Sequence, residues 1–233
     1  MLNYVEYGKE NKYDDDIFFQ KYSQMSRSQQ GLAGAGEWET LRKLLPDFKD
    51  KRVLDLGCGY GWHCIYAMEH GASSVVGVDI SHKMLEVAKE KTHFPQVEYK
   101  CCAIEDVEFP EESFDVILSS LAFHYVADYE ILVKKIYRIL KSGGKLVFTV
   151  EHPVFTAYGT QDWYYNEKGE ILHFPVDNYY YEGKRTAVFL GEKVTKFHRT
   201  LTTYLNTLLS NGFIINHIVE PQPPEYMMDI PGM

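Results

Sequence analysis

From residue 51 onward, short apolar runs alternate with longer stretches in which apolar residues recur every three or four positions. The short runs predict five β-strands, at residues 53–56, 74–80, 97–104, 114–121 and 145–150. The longer stretches predict helices, at residues 60–70, 82–91 and 128–140. Strands alternating with helices at this spacing form βαβ units, whose right-handed crossovers cover both faces of a parallel sheet. The pattern therefore predicts an α/β fold with a doubly wound, Rossmann-like, mostly parallel sheet.

Local signals agree with these boundaries. Ser81 stands directly before the second helix and Asp128 opens the third, both in positions where a side chain can cap a helix N-terminus. The run at 114–121 is almost entirely apolar, as expected for a strand buried on both faces of the sheet. A glycine pair at 143–144 predicts a turn before the fifth strand.

Two regions do not follow the strand–helix alternation. Residues 1–50 predict two helices, at about 14–28 and 37–45, joined by a glycine-rich segment. Residues 153–199 predict antiparallel hairpins, because turn signals separate apolar and aromatic runs at 163–165, 179–181 and 188–190. A final helix at 200–211 and a final strand at 213–219 close the pattern.

We therefore divide the chain into four parts. Residues 1–50 form an N-terminal helical cap, and residues 51–152 form the ligand-binding core. Residues 153–199 form an aromatic, β-rich insertion after strand five. Residues 200–233 supply a last helix and strand that complete the core.

Charge and cysteine content narrow the function classes. The 233 residues carry 24 Lys+Arg and 33 Asp+Glu, a net charge of −9, which argues against a surface for nucleic acid. No apolar run is long enough for a membrane span, and the N-terminus is polar, so we expect a cytoplasmic protein. The four cysteines have neither CxxC spacing nor a neighbouring histidine cluster and are expected to be reduced core residues.

The glycine loop at 57–61 is the most informative segment. It follows a predicted strand and precedes a helix, an arrangement that lets a ligand approach bare backbone. A dinucleotide site of GxGxxG type would have its third glycine where Trp62 stands. Asp55 precedes the loop and suits a ligand that carries an ammonium group better than a pyrophosphate; its alternative role is to accept backbone N–H groups in the turn. Asp79 ends the second strand, where a carboxylate can bind both ribose hydroxyls or simply cap the next helix.

With these features in order, the chain resembles the class I S-adenosylmethionine-dependent methyltransferases. It is most similar to the small-molecule group (methyltransferase type 11) that includes the ubiquinone and menaquinone biosynthesis enzymes. The matching motifs are VLDLGCGYG at 53–61, VDI at 78–80, the Ala-x-Glu-Asp segment at 103–106, SFDVILS at 113–119 and Leu-Lys-x-Gly-Gly at 140–144. The resemblance covers about residues 51–151 and implies transfer of a methyl group from S-adenosyl-L-methionine, with S-adenosyl-L-homocysteine as product.

The resemblance also implies a cofactor site. The residues expected at the amino-acid end are Asp55, Gly57, Cys58, Gly59 and Ser119, and Asp79 is expected at the ribose. Those expected at the adenine are Ile80, Met84, Ala103, Ile104 and Glu105, and Tyr22 and Arg27 belong to the N-terminal helix that closes over the cofactor. For Met84 an ordinary core position is an equal alternative.

The ends of the fourth and fifth strands should carry the acceptor site, because ligands bind outside the carboxyl ends of such strands. His124 and His152 are the candidate general bases, since an ordinary histidine pKa near ~6.5 suits proton abstraction at neutral pH. Each could equally be a structural histidine. Tyr125 and Glu151 are expected to contact the acceptor. Aromatic residues of the insertion, chiefly Trp163 and Tyr180, either form a lid over the acceptor or seal the hairpins onto the domain or a dimer partner.

Absent motifs restrict the acceptor. The [DNS]-P-P-[YFW] motif of enzymes that methylate nucleic-acid amines would follow the fourth strand, where residues 119–122 read Ser-Ser-Leu-Ala. Acidic ligands of the metal-dependent catechol type are also missing there, so we expect a small-molecule acceptor and no metal. The acceptor's identity and the oligomeric state, a homodimer included, stay open. A non-catalytic cofactor-binding protein and a nicotinamide-dependent oxidoreductase are the rival functions.

One departure from the family concerns the sheet. The family's sheet ends in an antiparallel hairpin of strands six and seven, but the proline-rich residues after 219 cannot form a central strand. Either the chain continues beyond Met233 or a strand of the insertion fills the vacant position, and we favour the first.

Overall fold

The computed structural model describes residue 9, residues 11–222 and residues 224–225. Its centre is a five-stranded parallel sheet with strand order β3-β2-β1-β4-β5. The strands are β1 (Arg52–Leu56), β2 (Ser74–Asp79), β3 (Val97–Cys101), β4 (Phe114–Ser120) and β5 (Leu140–Thr149). The predicted doubly wound α/β fold is confirmed, and the chain order reverses between β1 and β4, where such sheets open a crevice.

Eight α-helices occur among the described residues. They are α1 (Asp16–Ser23), α2 (Ser26–Gln30), α3 (Trp38–Leu44), α4 (Trp62–Glu69), α5 (His82–Lys91), α6 (Tyr129–Ile139), α7 (Pro153–Ala157) and α8 (Leu201–Ser210). The expected helix at 14–28 is divided into α1 and α2, because Met25 is extended and interrupts the helical hydrogen bonds. Ser81 caps α5 as predicted, its Oγ accepting from the Met84 N–H.

Alternating side chains of β1 fill the two layers of the core. Leu54 and Leu56 pack on one face of the sheet with the buried face of α6, whereas Val53 packs on the other face with Cys64 of α4. Asp55 shares the face of Val53 and is therefore enclosed by protein, with an exposed fraction of 1%. This burial of a carboxyl group next to the glycine loop bears directly on the site.

The insertion forms two hairpins that are separate from the central sheet. A short pair joins β6 (Tyr164–Tyr165) to β7 (Ile171–His173), and a longer one joins β8 (Gly183–Phe189) to β9 (Glu192–His198). Phe18 of α1 is buried against Ala187 and Val194 of the longer hairpin. The hairpins predicted from the turn signals are present, but residues 179–181 form a turn and not a strand.

The predicted last strand at 213–219 is wrong. Phe213 and Ile215 pack on the core, but residues 214–219 make no backbone hydrogen bond to any other described residue. Without a hydrogen-bonding neighbour the apolar alternation alone does not make a strand. Neither hairpin of the insertion joins the sheet, so the alternative in which an insertion strand fills the vacant position does not hold among the described residues. There β5 is the last strand of the sheet.

The cap of α6 provides a test of local stability. The Asp128 carboxylate accepts the N–H of Ile131 at 2.9 Å, satisfying one of the otherwise unpaired groups at the helix start. We expect Asp128→Ala to lower the free energy of unfolding by about 1 kcal/mol in urea titrations. Glu130→Ala, which removes only the exposed pair with Lys134, is the matched control and should cost at most about 0.5 kcal/mol. Equal losses would contradict a specific capping role.

Candidate functional site

A cavity of about 270 Å³ lies at the carboxyl edge of β1, β2 and β4. The N-terminal segment and β8 cover it from above. Its lining residues are Lys9, Tyr13, Tyr22, Met25, Arg27, Gly57, Gly59, Asp79, Ile80, Met84, Ala103, Ile104, Glu105, Ser120, Leu121, Ala122, His124, Tyr125, Val126, Glu151 and Phe189. A concave lining that is mostly apolar with a few polar groups is typical of a small-molecule site.

The glycine loop forms one wall of the cavity. The N–H groups of Gly57 and Cys58 both donate to the Val78 carbonyl, at 2.8 and 2.9 Å, which ties the loop to the end of β2. Gly57 has φ +77°, and a Cβ there would lie 2.5 Å from the Cβ of Ala122. Gly59 has φ +52°, and a Cβ there would meet open space. The loop therefore requires glycine at 57 and presents bare backbone to the cavity at 59.

Asp79 is the best-fixed polar group of this wall. Its Oδ2 accepts the Gly59 N–H at 2.9 Å and its Oδ1 accepts the Ser81 N–H at 2.9 Å. Burial raises the pKa of Asp79, an effect that these two hydrogen bonds oppose. Each carboxylate oxygen retains a further lone pair for a ligand.

Asp55 lies behind the glycine loop and does not line the cavity. Its Oδ2 accepts the Cys64 thiol at 3.5 Å, and its Oδ1 has no partner among the described residues. Burial raises the pKa of Asp55 to about 7, because a charged carboxylate there would lose its hydration. From this position Asp55 can influence a ligand electrostatically, but it does not contact a ligand in the cavity directly.

Two other expected cofactor residues lie off the cavity wall. Cys58 is buried in the core beside α4. Ser119 is buried as well, and its Oγ donates to the Leu56 carbonyl at 2.8 Å, joining β4 to β1. Their side chains therefore do not face the cavity, and the expected contacts, from the Cys58 backbone and the Ser119 carbonyl, stay predictions. The lining at the end of β4 comes from Ser120, Leu121 and Ala122.

The structure brings together the remaining expected cofactor residues. Ile80, Met84, Ala103, Ile104 and Glu105 all line one end of the cavity. Burial raises the pKa of Glu105. From the N-terminal segment, Tyr22 and Arg27 line the cavity too, and Arg27 forms an ion pair of 2.5 Å with Glu37.

The opposite end of the cavity is built around His124. Its ring is 2% exposed, and burial lowers its pKa to about 4, with the charges of Lys196 and Arg199 adding to the shift and Glu151 opposing it. Nδ1 of His124 accepts the Glu151 N–H at 3.5 Å, so the neutral ring carries its proton on Nε2, 3.9 Å from Glu151 Oε1. Tyr125 is adjacent, and its hydroxyl lies 3.4 Å from that of Tyr13.

His152, the second expected base, lies away from the cavity. Pro153 begins α7 directly after it, and His152 becomes the N-cap of that helix, with Nδ1 accepting the Val154 N–H at 3.1 Å. Its Nε2 is 2.5 Å from Glu220 Oε1, and the side chain is 42% exposed. The chain direction set by the helix start turns this ring outward, so the base assignment to His152 is corrected.

Of the two roles left open for the aromatic residues of the insertion, the described structure does not favour a lid made by Trp163 and Tyr180. Tyr180 is 85% exposed and Trp163 packs on Phe174, and neither lines the cavity. Phe189 of β8 takes the place expected of them. Phe189, Lys9, Tyr13, Met25 and Val126 also line the cavity, and the sequence did not predict them there. Residues 120–122 could have been found from their place at a strand end, whereas the others depend on how separate segments pack.

In the part of the chain that the structure describes, no group of three or more His, Cys, Asp or Glu residues could hold a metal ion. Among the same residues, no helix is both long and apolar enough to cross a bilayer.

Comparison with known proteins agrees with the observed fold. A family model described as a methyltransferase domain matches residues 54–148. A solved structure of a proposed S-adenosylmethionine-dependent methyltransferase from Listeria monocytogenes is 57% identical in sequence, with a TM-score of 0.82, over 86% of this chain and 90% of that one. An S-adenosylmethionine-dependent methyltransferase from Mesorhizobium loti is 41% identical, with a TM-score of 0.78, over 84% and 90% of the two chains.

A relative with a named reaction matches part of the chain. The ubiquinone biosynthesis O-methyltransferase of Coxiella burnetii is 36% identical over 112 residues, which are 47% of this chain and 47% of that protein. The match therefore spans about half the length of each protein.

Proposed function

The chain belongs to the class I S-adenosylmethionine-dependent methyltransferases, and from this premise we propose that it methylates a small-molecule acceptor bound in the cavity beside His124. One observation carries the proposal. A single cavity runs from the Asp79 carboxylate at the end of β2 to the His124 ring and the Glu151 carboxylate beyond β4 and β5. A cofactor and an acceptor could therefore bind next to each other in the same cavity.

The residues present fit the cofactor. The bare backbone at Gly59 suits an amino-acid group, and the fixed carboxylate of Asp79 suits a ribose. The apolar side chains farther along the cavity suit an adenine. We assign the ribose to Asp79, the adenine to Ile80, Met84, Ala103, Ile104 and Glu105, and the amino-acid end to Gly57, Gly59, Tyr22 and Arg27. Asp55 would favour the ammonium group through the loop and not by contact.

The acceptor is assigned to the His124 end of the cavity. The walls there are Tyr13, Tyr125, Val126 and Phe189, with Glu151 as the polar group. The similarity over about half its length to a ubiquinone biosynthesis O-methyltransferase supports a small molecule as the acceptor. The net charge of −9 gives no electrostatic attraction for a nucleic-acid acceptor.

S-adenosylmethionine, when bound, supplies an electrophilic methyl group on a sulfonium sulfur. This chain's contribution would be alignment, because holding two reactants in line removes much of the entropic barrier. Tyr13, Tyr125 and Phe189 line the reacting end, where they would help to exclude water. His124 is the remaining base candidate, but a pKa of about 4 makes it a weak base, so we assign it to orienting the acceptor first and to proton removal second.

The rival functions make different predictions. A binding protein without catalysis would have the space beyond the cofactor plugged by the insertion, whereas here the cavity extends to His124 and Glu151. A nicotinamide enzyme would have a glycine at the position of Trp62, whose bulk lies against Gly31.

Calorimetric titration with S-adenosylhomocysteine, and separately with NAD⁺, tests the proposal. We expect micromolar binding of S-adenosylhomocysteine with one site per chain and no heat from NAD⁺. Binding of NAD⁺ alone would overturn the proposal in favour of the oxidoreductase. Binding of neither ligand would overturn it as well, since the cavity would then lack the cofactor affinity on which the proposal rests.

A further inference from the structure

The insertion contributes a buried cation to the acceptor end of the cavity. Lys196 of β9 is 2% exposed, although a lysine in a surface hairpin ordinarily points to solvent. Its Nζ forms an ion pair with Glu151 Oε1 and donates to Gln161 Oε1 at 2.9 Å. The ammonium also lies 5.5 Å from the ring centre of Phe189 and 6.0 Å from that of Tyr125, both cavity walls.

Glu151 is the member of this cluster that reaches the cavity. Gln161 Nε2 donates to its Oε2 at 2.8 Å, so both carboxylate oxygens are held by side chains of the insertion. Burial by itself raises the pKa of Glu151, but the charges nearby and the hydrogen bonds from Lys196 and Gln161 outweigh it and lower the pKa below its ordinary value. Glu151 is therefore an oriented carboxylate with free lone pairs at neutral pH.

The lysine and arginine side chains that line the described part of the cavity are already paired with carboxylates. Arg27 is bound to Glu37, and Lys9 is bound to Asp106. These are the two basic residues among the described lining residues, and Lys196 is compensated by Glu151. The Glu151 carboxylate would repel a negatively charged acceptor, and no unpaired lysine or arginine among the described lining residues would offset that repulsion. A ligand N–H or O–H could instead donate a hydrogen bond to Glu151.

From this arrangement we propose that Glu151, held in place by Lys196 and Gln161, binds the nucleophilic atom of the acceptor through its polar hydrogen, and that the acceptor is an uncharged alcohol, phenol or amine and not a carboxylic acid. The inference rests on the proposed function and specifies the acceptor class at that site. A positively charged amine is disfavoured because it would lie beside the sulfonium of the cofactor. Lys196 acts as a positioning residue through Glu151.

Ligand-observed saturation-transfer NMR on protein saturated with S-adenosylhomocysteine tests the acceptor class. The probes are phenol, aniline and benzoate, which share a ring and differ in the group offered to Glu151. We expect phenol and aniline to bind and benzoate to give no signal. In Glu151→Gln, binding of phenol and aniline should weaken about tenfold, because a hydrogen bond to a charged group is lost.

Lys196→Met and Gln161→Ala should reduce phenol binding in the same direction as Glu151→Gln. Lys193→Met is the matched control, since Lys193 is an exposed lysine on the same strand, and it should bind as the wild type does. Gln161→Ala keeps the test decisive if Lys196→Met does not fold, which unfolding curves will reveal. Wild-type benzoate binding equal to that of phenol, no phenol binding at all, or unchanged phenol binding in Glu151→Gln would each overturn the proposal.

A second readout separates positioning from packing. In ¹H–¹⁵N spectra of the imidazole rings, His124 should titrate at higher pH in Lys196→Met than in the wild type, because a buried cation that lowers its pKa is removed. Lys196→Arg should restore the wild-type titration, and Lys193→Met should not alter it. An unchanged titration in Lys196→Met would contradict the positioning role. Failure of the wild type to bind S-adenosylhomocysteine would instead count against the proposed function itself.

Discussion

Replacing Asp79 by alanine is expected to weaken the binding of S-adenosylhomocysteine about 100-fold or more. The carboxylate is assigned to both ribose hydroxyls, and a hydrogen bond to a charged group contributes about 1.5–3 kcal/mol, where 1.4 kcal/mol corresponds to a factor of ten in affinity. The carboxylate is also held in place before binding, since the N–H groups of Gly59 and Ser81 donate to its two oxygens. The measurement is calorimetric titration of the variant against the wild type.

Two further variants make the result specific. Glu86→Ala removes an exposed carboxylate from α5, the helix that follows Asp79, and should leave the affinity unchanged. Asp79→Asn keeps an acceptor oxygen for the Gly59 N–H and should fall between Asp79→Ala and the wild type. Affinity of Asp79→Ala within about threefold of the wild type, in a protein that unfolds at the same denaturant concentration, would contradict the ribose assignment.

The second large effect is a dependence of stability on pH that originates at Asp55. Burial raises the pKa of this carboxyl from 3.8 to about 7, so between these two values the folded protein binds more protons than the unfolded chain. The contribution of Asp55 to stability is therefore fully favourable below the unfolded pKa and is lost as the pH rises to about 7. A shift of this size corresponds to roughly 4 kcal/mol, since each pKa unit is 1.36 kcal/mol.

Asp55→Asn removes the titration while keeping the shape of the side chain. We expect the free energy of unfolding of the wild type, relative to this variant, to fall steadily from pH 4 to pH 7 and then to level off. Urea titrations at intervals across that range provide the comparison. Parallel profiles for the two proteins would contradict the raised pKa. The same measurement on Asp115→Asn is a control, because the pKa of this part-buried carboxyl is lowered and not raised.

The core of the fold could be predicted because its signals are local. A strand buried on both faces is apolar throughout, a helix that packs on it repeats every three or four residues, and caps such as Ser81 mark the boundaries. The last strand could not be predicted by the same means. Its apolar alternation matches a strand, but a strand also needs a neighbour, and residues 214–219 have none among the described residues.

The cofactor side of the site was largely predictable for a similar reason. The carboxyl ends of parallel strands meet at one edge, so residues 79–80 and 103–105 come together whatever the loops do. Cys58 and Ser119 lie in the expected segments, but their side chains point into the core and join neighbouring elements, so a contact with the cofactor from these positions would come from the backbone.

The acceptor side was predictable only in part. His124, Tyr125 and Glu151 follow from their positions at strand ends, whereas His152 is turned outward by the start of α7 at Pro153. The side chains that the hairpins send inward depend on long-range packing against α1. That packing brings Phe189 to the site, buries the charged Lys196 and leaves the aromatic Tyr180 in solvent, and residue type alone predicts neither of the last two.

A crystal structure of the protein with S-adenosylhomocysteine tests the central claim most directly. We predict that both ribose hydroxyls lie within about 3 Å of the Asp79 carboxylate, that the adenine lies between Ile80 and Ile104, and that the sulfur faces His124 and Tyr125 across open space. A ligand bound outside this cavity, or bound in it with its sulfur directed away from His124, would contradict the assignment of the cofactor and with it the place of the acceptor.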